Sequence, residues 1–277
     1  MGDTILKIGN STIQHGKENN RIYLMKMDKR DTFDIIPKLD ELAKQHNYTK
    51  IFAKIPASSK QLFLDNEYVI EANVPNFYKG TEDAFFMGKY FSAERKIIHN
   101  QATIEHVLET ALKKEKVKRI FSLNEHFEYR KARPQDAPEM ADVYKLIFES
   151  YPFPIHQPSY IQKTMEKNIE YFGVWHKGNI VALASSEMDL ETQNVEMTDF
   201  ATLPEYRGNK FALYLLDKME QEMHNKGIKT AYTIARAVSY GMNSTFAKMG
   251  YTYSGTLVNN TNISGSLESM NVWYKPI

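Results

Sequence analysis

The chain reads as an α/β protein in two parts, and three observations predict that class. Asn194–Lys226 runs from a strand through a tight polar turn into a long amphipathic helix. Lys54–Phe91 and Thr233–Lys275 share one layout: strand, Ser-led helix, strand, polar loop, strand. Between them, Glu128–Arg133 makes a fresh start. The expected division is a smaller N-terminal α/β domain over residues 1–125 and a C-terminal domain over 126–277. A chain of 277 residues suffices for one large or two ordinary domains.

Taken in order, Thr4–Ile8 and Ser11–Gln14 alternate as short strands about a Gly9-Asn10 turn, and Arg21–Met27 is a further strand after the polar loop His15–Asn20. Phe33, Ile36, Leu39, Leu42 and Ala43 recur at helical spacing and predict a helix over Asp31–His46, with Asp31 and Thr32 as caps. Tyr48–Ile55 returns to strand and leads into the first of the two similar segments. Phe63 and Tyr68 stand where Phe246 and Tyr251 stand in the second, and Glu82 and Met87 where Glu268 and Trp273 stand. The N-terminal part is either a degenerate copy of the C-terminal part or an unrelated small domain. Its loop Lys26–Thr32 carries no glycine and no phosphate-binding pattern. A copy would therefore have no cofactor site, and its role would be to pair, cap or support a homodimer.

A helix over Gln101–Lys114, with Ile104, Val107, Leu108 and Ala111 on one side, joins the two parts, and Val117–Leu123 is a candidate strand. After the strand Glu128–Arg133, Asp136-Ala137-Pro138-Glu139 is an acidic form of the capping box. Met140, Val143, Tyr144, Ile147 and Phe148 give the next helix its buried stripe. Three prolines in Tyr151–Pro158 exclude regular helix, leaving an aromatic loop that either walls a substrate pocket or simply connects. A helix over Ser159–Ile169 follows, then a hairpin of Tyr171–His176 and Asn179–Asp189 about Lys177-Gly178. In the long helix from Phe211, the residues Ala212, Leu215, Leu216, Met219 and Met223 form the apolar stripe. Asp217, Lys218, Glu220, Gln221 and Glu222 fill the other face, and Gly227 supplies the left-handed stop.

Composition removes several function classes. With 42% hydrophobic and 25% charged residues the chain can bury sizeable cores, and 35 basic against 34 acidic residues make no case for nucleic acid. The run Lys113–Arg119 reads as a solvated helix face. Without cysteine there is no disulfide, thiolate catalysis or Cys-ligated zinc, and the eight histidines show no metal-binding spacing, so no metal is expected. The first residues lack a signal-peptide pattern, and no apolar run reaches the ~18 residues of a membrane span. The expectation is a cytoplasmic protein with no membrane partner.

Chemistry gathers at the turn before Phe211. A strand that runs through a short loop into a helix leaves the helix's first N–H groups unpaired and aimed at the loop, with the positive end of the macrodipole. Arg207-Gly208-Asn209-Lys210 adds two cations and a permissive glycine there, which suits a pyrophosphate. On spacing alone, an ordinary basic turn in solvent fits equally.

The run LPEYRGNKFA resembles the acetyl-CoA signature of the GNAT acetyltransferase superfamily, with Arg207, Gly208 and Ala212 in register. Lys210 replaces the usual central glycine, and its own N–H would serve a phosphate if φ stays negative. The opening Arg130–Asp136 is similar to that fold's first strand and helix. The resemblance implies a mixed, splayed central sheet, acetyl-CoA as cosubstrate, and N-acetyl transfer without a metal or covalent enzyme intermediate. It implies a base on the strand Val195–Thr202. Glu196 matches the usual position, and Asp199 is either a competing base or a holder of the substrate ammonium. Phe200, Ala201 and Thr202 are the implied backbone contacts to the cofactor arm. Arg207, Gly208, Asn209, Lys210, Phe211 and Ala212 would hold the diphosphate, with Asn243 and Phe246 along the cleft. Phe246 stands where the family's thiolate acid is a tyrosine, which leaves Tyr240, Tyr251 or a water.

An amino-acid-like substrate would want a guanidinium for its carboxylate and acids or amides for a second ammonium. Arg236, Asn259, Asn260, Asn262 and Glu268 are the candidates, although the Asn run also reads as an ordinary turn. The endings NNTNISGSLESMNVWYK and VPNFYKGTEDAFFMGKYF resemble the β-lysine N6-acetyltransferases over nearly the whole chain. That resemblance implies a small diamino-acid substrate, and a product that is a compatible solute or an intermediate of lysine breakdown. The alternatives are another small amine or a protein lysine as acceptor, and a non-catalytic acetyl-CoA-binding module.

Overall fold

Strands and helices alternate much as the residue pattern dictates, in a computed structural model that describes residues 3–117 and 122–277. In the N-terminal half, β1 (Thr4–Ile8), β2 (Ser11–Gly16) and β3 (Arg21–Lys26) form a meander. α1 (Ile35–His46) crosses to β4 (Lys50–Pro56), and the short α2 (Lys60–Leu64) leads to β5 (Val69–Tyr78) and β6 (Glu82–Tyr90). α3 (Gln101–Leu112) precedes the C-terminal half. That half begins with β7 (Phe127–Lys131), α4 (Ala137–Ile147), α5 (Pro158–Met165), β8 (Ile169–His176), β9 (Asn179–Asp189) and β10 (Asn194–Thr202). It ends with α6 (Phe211–Asn225), β11 (Thr230–Arg236), α7 (Tyr240–Lys248), β12 (Thr252–Ile263) and β13 (Ser266–Pro276).

All of these strands join one sheet, in the order β1-β2-β3-β4-β6-β5-β12-β13-β11-β10-β9-β8-β7. Counted outward from the central β5–β12 pair, the two halves run in the same sequence, with β7 added at one edge. Each half contains one parallel pair, β3–β4 or β10–β11. A parallel pair needs a long crossover, and α1 and α6 supply it. The local packing repeats too. Phe63 meets Tyr68 edge-on at 4.8 Å between ring centroids, and Phe246 meets Tyr251 at 5.0 Å. At the seam Gly255 of β12 pairs with Ala72 of β5. A Cβ on Gly255 would lie 2.0 Å from the Glu71 carbonyl oxygen, so only glycine lets the halves close.

The sheet curls until β3 faces β9 and β10. Lys26 pairs with Asp189 at 3.1 Å, and Gln14 donates to the Pro152 carbonyl at 2.7 Å. Tyr23, Phe52, Phe77, Phe86, Tyr232 and Met270 fill part of the space between the halves. The α6–α7 side carries its own core on Leu215, Leu216, Met219, Met223 and Trp273, and the α4–α5 side another on Met140, Tyr144, Ile161 and Leu183. Among the described residues no helix is long and apolar enough to cross a membrane.

Several expected boundaries move. α1 starts at Ile35, not Asp31, because Asp31 is drawn off to accept from the Asn10 and Ser11 amides at 2.8 Å; Phe33 is left 85% exposed. α5 ends at Met165, and Ile169 already belongs to β8. The Asn259–Asn262 run is not a turn; it is a bulged stretch inside β12, where the register slips between Leu257 and Thr261. On α6, Asp217 and Glu220 are buried, Glu220 against Lys275 at 2.6 Å. The candidate strand Val117–Leu123 falls largely outside the described residues.

Candidate active site

A cavity of about 1100 Å³ opens between the halves, lined by β3 and β4 on one side and by β9, β10, β11 and the start of α6 on the other. The proline-rich loop walls it through Tyr151, Pro152, Phe153 and Ile155. The N-terminal half contributes Arg21, Tyr23, Phe52 and Lys54. These residues of the N-terminal half line the cavity within the same chain.

At one end lies the turn into α6. The first bond of that helix runs from the Tyr214 N–H to the Lys210 carbonyl, so the amides of Phe211, Ala212 and Leu213 have no intrahelical partner. Gly208 has φ +89°, and a Cβ built there would meet nothing within 4 Å. Arg207 and Lys210 are exposed, and neither makes an ion pair among the described residues. Lys210 departs from expectation: its φ is +62°, the left-handed conformation of the glycine it replaces. A residue with a Cβ pays roughly 1–2 kcal/mol for that conformation. Free amides, an open glycine and unpaired cations fit a diphosphate. Asn209 turns its side chain back to the Tyr206 carbonyl at 2.8 Å.

Next along the cavity, β10 and β11 part company. They are in register only at Asn194–Thr230, Val195–Ala231 and Glu196–Tyr232. β10 also breaks its ladder with β9 between Thr198 and Ala201, where Asp199 takes φ +55°. Ala201 and Thr202 stay paired to β9 while facing β11 without a ladder. The expected splay is present, and its cause is this bulge.

Glu196 is the last residue paired to β11 before the gap, and across the other ladder it stands opposite Glu187. Burial first, and the Glu187 charge next, push Glu196 up to about 8, against Lys54 and the Tyr232 hydroxyl. Burial raises Glu187 as well, opposed by Lys54. Two carboxylates this close share one charge more readily than they carry two. The Lys54 ammonium reaches in from β4 and donates to the Tyr232 hydroxyl at 3.0 Å. Asp199 is placed differently. One oxygen accepts from Ser185 and the other from Tyr151, both at 2.5 Å, so it is committed to the wall. Burial raises it, and those hydrogen bonds pull it down.

Other expected residues lie elsewhere. Tyr240 is 44% exposed, with its hydroxyl 2.6 Å from His106 Nδ1 on α3, so it does not reach the cavity. Asn243 does not face the cleft: its amide donates to the Arg236 and Ser239 carbonyls and accepts from Asn271 and Trp273, which ties α7 to the sheet. Phe246 does line the cavity, edge-on to Phe200 at 5.7 Å. Arg236 lines it too, but its guanidinium is held by both Glu268 oxygens, the Nε contact at 2.8 Å. Asn259 binds the carbonyls of Arg95 and Ile97, and Asn262 that of Glu18, so both fasten β12 to the N-terminal half. Of the three asparagines in the run, Asn260 alone lines the cavity, beside Thr261. Sequence reasoning missed Lys54, Glu187, Tyr23 and Arg21. Alternation of Glu187 and Asp189 along one strand face was a readable signal; the approach of β3 and β4 was not. Among the described residues no cluster of three or more His, Asp or Glu side chains could hold a metal ion.

Comparison with known proteins adds to this geometry. Residues 140–251 match the model of the acetyltransferase (GNAT) family. Over 99% of its length the chain is 44% identical to the β-lysine N(6)-acetyltransferase of Methanococcus maripaludis, spanning 98% of that protein. It is 32% identical to N-acetyltransferase YodP of Bacillus subtilis, with 96% of each chain covered. With the β-lysine N(6)-acetyltransferase of Methanosarcina mazei it shares 31% identity over 87% of this chain and 96% of that one.

Proposed function

We propose, for a chain that belongs to the GNAT acetyltransferase family and is an N-acetyltransferase, that it acetylates the terminal N6 amine of β-lysine, using acetyl-CoA in a ternary complex. One observation carries the chemistry: Glu196 sits where β10 and β11 separate, in the cavity that also opens onto the free amides of α6. Identity of 44% over nearly the whole chain to a protein named for β-lysine supports the substrate.

The amides of Phe211, Ala212 and Leu213, with Arg207 and Lys210, would hold the cofactor diphosphate. The unladdered edge of Phe200–Thr202 would align the pantetheine arm. The bound cofactor supplies an activated acetyl thioester. Glu196, as carboxylate, takes the proton of the incoming ammonium directly or through a water, and Glu187 keeps its proton affinity high enough for that work. Asp199 acts by fixing Tyr151 and the loop behind the amine. No side chain is assigned to protonate the departing thiolate; Tyr240 is turned away, and Phe246 has no proton to give. Residues 1–125 serve in this reading as a domain without a cofactor site that closes the substrate end.

Acetyl-CoA mixed with β-lysine, α-lysine, spermidine and a lysine peptide, with thiol release followed, tests the proposal. The expected result is fastest release with β-lysine and a product acetylated at N6. Release with another amine and none with β-lysine would overturn the substrate assignment.

A further inference from the structure

Where β3 meets the bulge of β12 across the cavity wall, two buried polar atoms have no partner: Arg21 Nε and Asn260 Oδ1. Both residues line the cavity, Arg21 at 4% exposure and Asn260 at 1%. Arg21 comes from β3 and Asn260 from the bulge of β12. They touch, because the Arg21 Nη1 group donates to the Asn260 carbonyl and, at 3.1 Å, to Thr261 Oγ1.

The guanidinium lies over the rings of Tyr23 and Phe52, at 5.4 and 5.7 Å from their centroids, and makes no ion pair among the described residues. The nearby Glu71 is already spent on Lys50, at 2.9 Å, and on the Val258 amide, at 2.8 Å. Burial draws Arg21 down to about 10, which leaves it charged at any working pH. A buried cation without a counterion, and a buried donor without an acceptor, are both costly. A ligand carboxylate would relieve both.

We propose that Arg21 and Asn260 form a subsite for the amino-acid end of the substrate, Arg21 taking the carboxylate through Nε and Asn260 Oδ1 accepting from the adjacent ammonium. The proposal rests on the acetyltransferase reading above and makes the N-terminal half the reader of the substrate's carboxylate. Its span is consistent. Arg21 and Tyr23 are two residues apart on one strand face, about 7 Å, and Tyr23 and Glu196 line the same cavity. An extended β-lysine measures roughly 7–8 Å from carboxylate carbon to terminal nitrogen, by its bond lengths. With its carboxylate on Arg21, the substrate extends past Tyr23 into the cavity that Glu196 also lines. The substrate class is a carboxylate-bearing diamine, and a bare polyamine would leave the guanidinium unpaired.

The test compares β-lysine with pentane-1,4-diamine, its counterpart without the carboxylate, in the wild-type protein and in Arg21→Gln and Arg21→Lys. Wild type is expected to prefer β-lysine by roughly 100-fold in kcat/KM, since a site built for a charged partner rejects the analogue that lacks it. Arg21→Gln should lose about 10- to 100-fold on β-lysine, chiefly in KM, with a markedly smaller loss on the diamine, and Arg21→Lys should recover part of the loss on β-lysine. Acetyl-CoA affinity by calorimetry serves as the folding control, and the wild-type preference is read without any variant. Equal kcat/KM for the two amines in wild type, or equal losses on both in Arg21→Lys, would overturn the subsite. No thiol release with either amine would remove the β-lysine reading and the subsite with it, and that outcome is distinct from the other two.

Discussion

The turn after β3 and the turn after β10 occupy equivalent places in the two halves, yet they offer an anion very different surroundings. Each follows the strand of a parallel pair and leads to the crossover helix. After β10 the chain carries Arg207, Gly208 and Lys210, with open space at the glycine and free amides beyond. After β3 it carries Asp28, Asp31 and Asp34. Asp28 is closed by Arg30 at 2.8 Å, and Asp31 is buried against Ser11 at 2.7 Å. Pro37 in the first turn of α1 further lacks an N–H to offer. The strands differ as well. The parallel ladders begin at Arg21–Lys50 and Asn194–Thr230, and two residues on stand Tyr23 and Glu196. Glu196 is a carboxyl that burial and Glu187 push up, and Tyr23 is an aromatic wall of the same cavity. Topology fixes where a site can form, and a few local side chains decide whether it binds an anion, moves a proton or closes a cavity.

That contrast can be broken or sharpened by substitution. The largest effect is expected from Glu196→Gln, which should cut turnover by roughly 10²–10⁴-fold and leave acetyl-CoA affinity unchanged by calorimetry; a comparable loss of affinity would mean that Glu196 holds the cofactor. Next in size, Arg207→Ala should weaken acetyl-CoA binding about tenfold through the loss of a charge-assisted contact. Its counterpart in the other half, Asp31→Asn, should lower Tm and leave that affinity alone. Parallel titrations of the two variants check the pair. Lys54→Met removes a cation that holds Glu196 down, so the midpoint of the pH–rate profile should move upward. An unchanged midpoint would place Lys54 outside the electrostatics of the site, and a downward move would contradict its role in holding Glu196 down. The smallest effect is expected from Lys210→Gly, which relieves the left-handed strain and should raise Tm by about 2–4 °C, as read by calorimetry on the free protein.

Much of this architecture was legible in the residues. The stripe Leu215, Leu216, Met219 and Met223 fixes α6, the Lys177-Gly178 pair fixes its hairpin, and Arg207-Gly208 marks the turn into α6. The similarity of the two segments, read from Phe63 and Tyr68 against Phe246 and Tyr251, reappears as one strand order seen twice. What stayed hidden depends on contacts between distant segments. Lys54 reads as a polar strand residue until the curl of the sheet brings it to Tyr232. Arg236 and Glu268 look like a substrate pair and instead satisfy each other. The Asn run looks like a turn because amides favour turns, whereas Asn259 and Asn262 are spent on carbonyls of the N-terminal half.

The most direct test of the account is the pH dependence of kcat/KM for the diamine substrate in the wild-type protein and in Glu196→Gln. A carboxyl raised to about 8 is neutral below that pH and basic above it. Activity should therefore rise through a midpoint near 8 and fall away as pH drops, and Glu196→Gln should abolish that limb. A midpoint near the ordinary carboxylate value of 4.5, or a limb that survives in Glu196→Gln, would contradict the assignment of Glu196 as the group that accepts the proton.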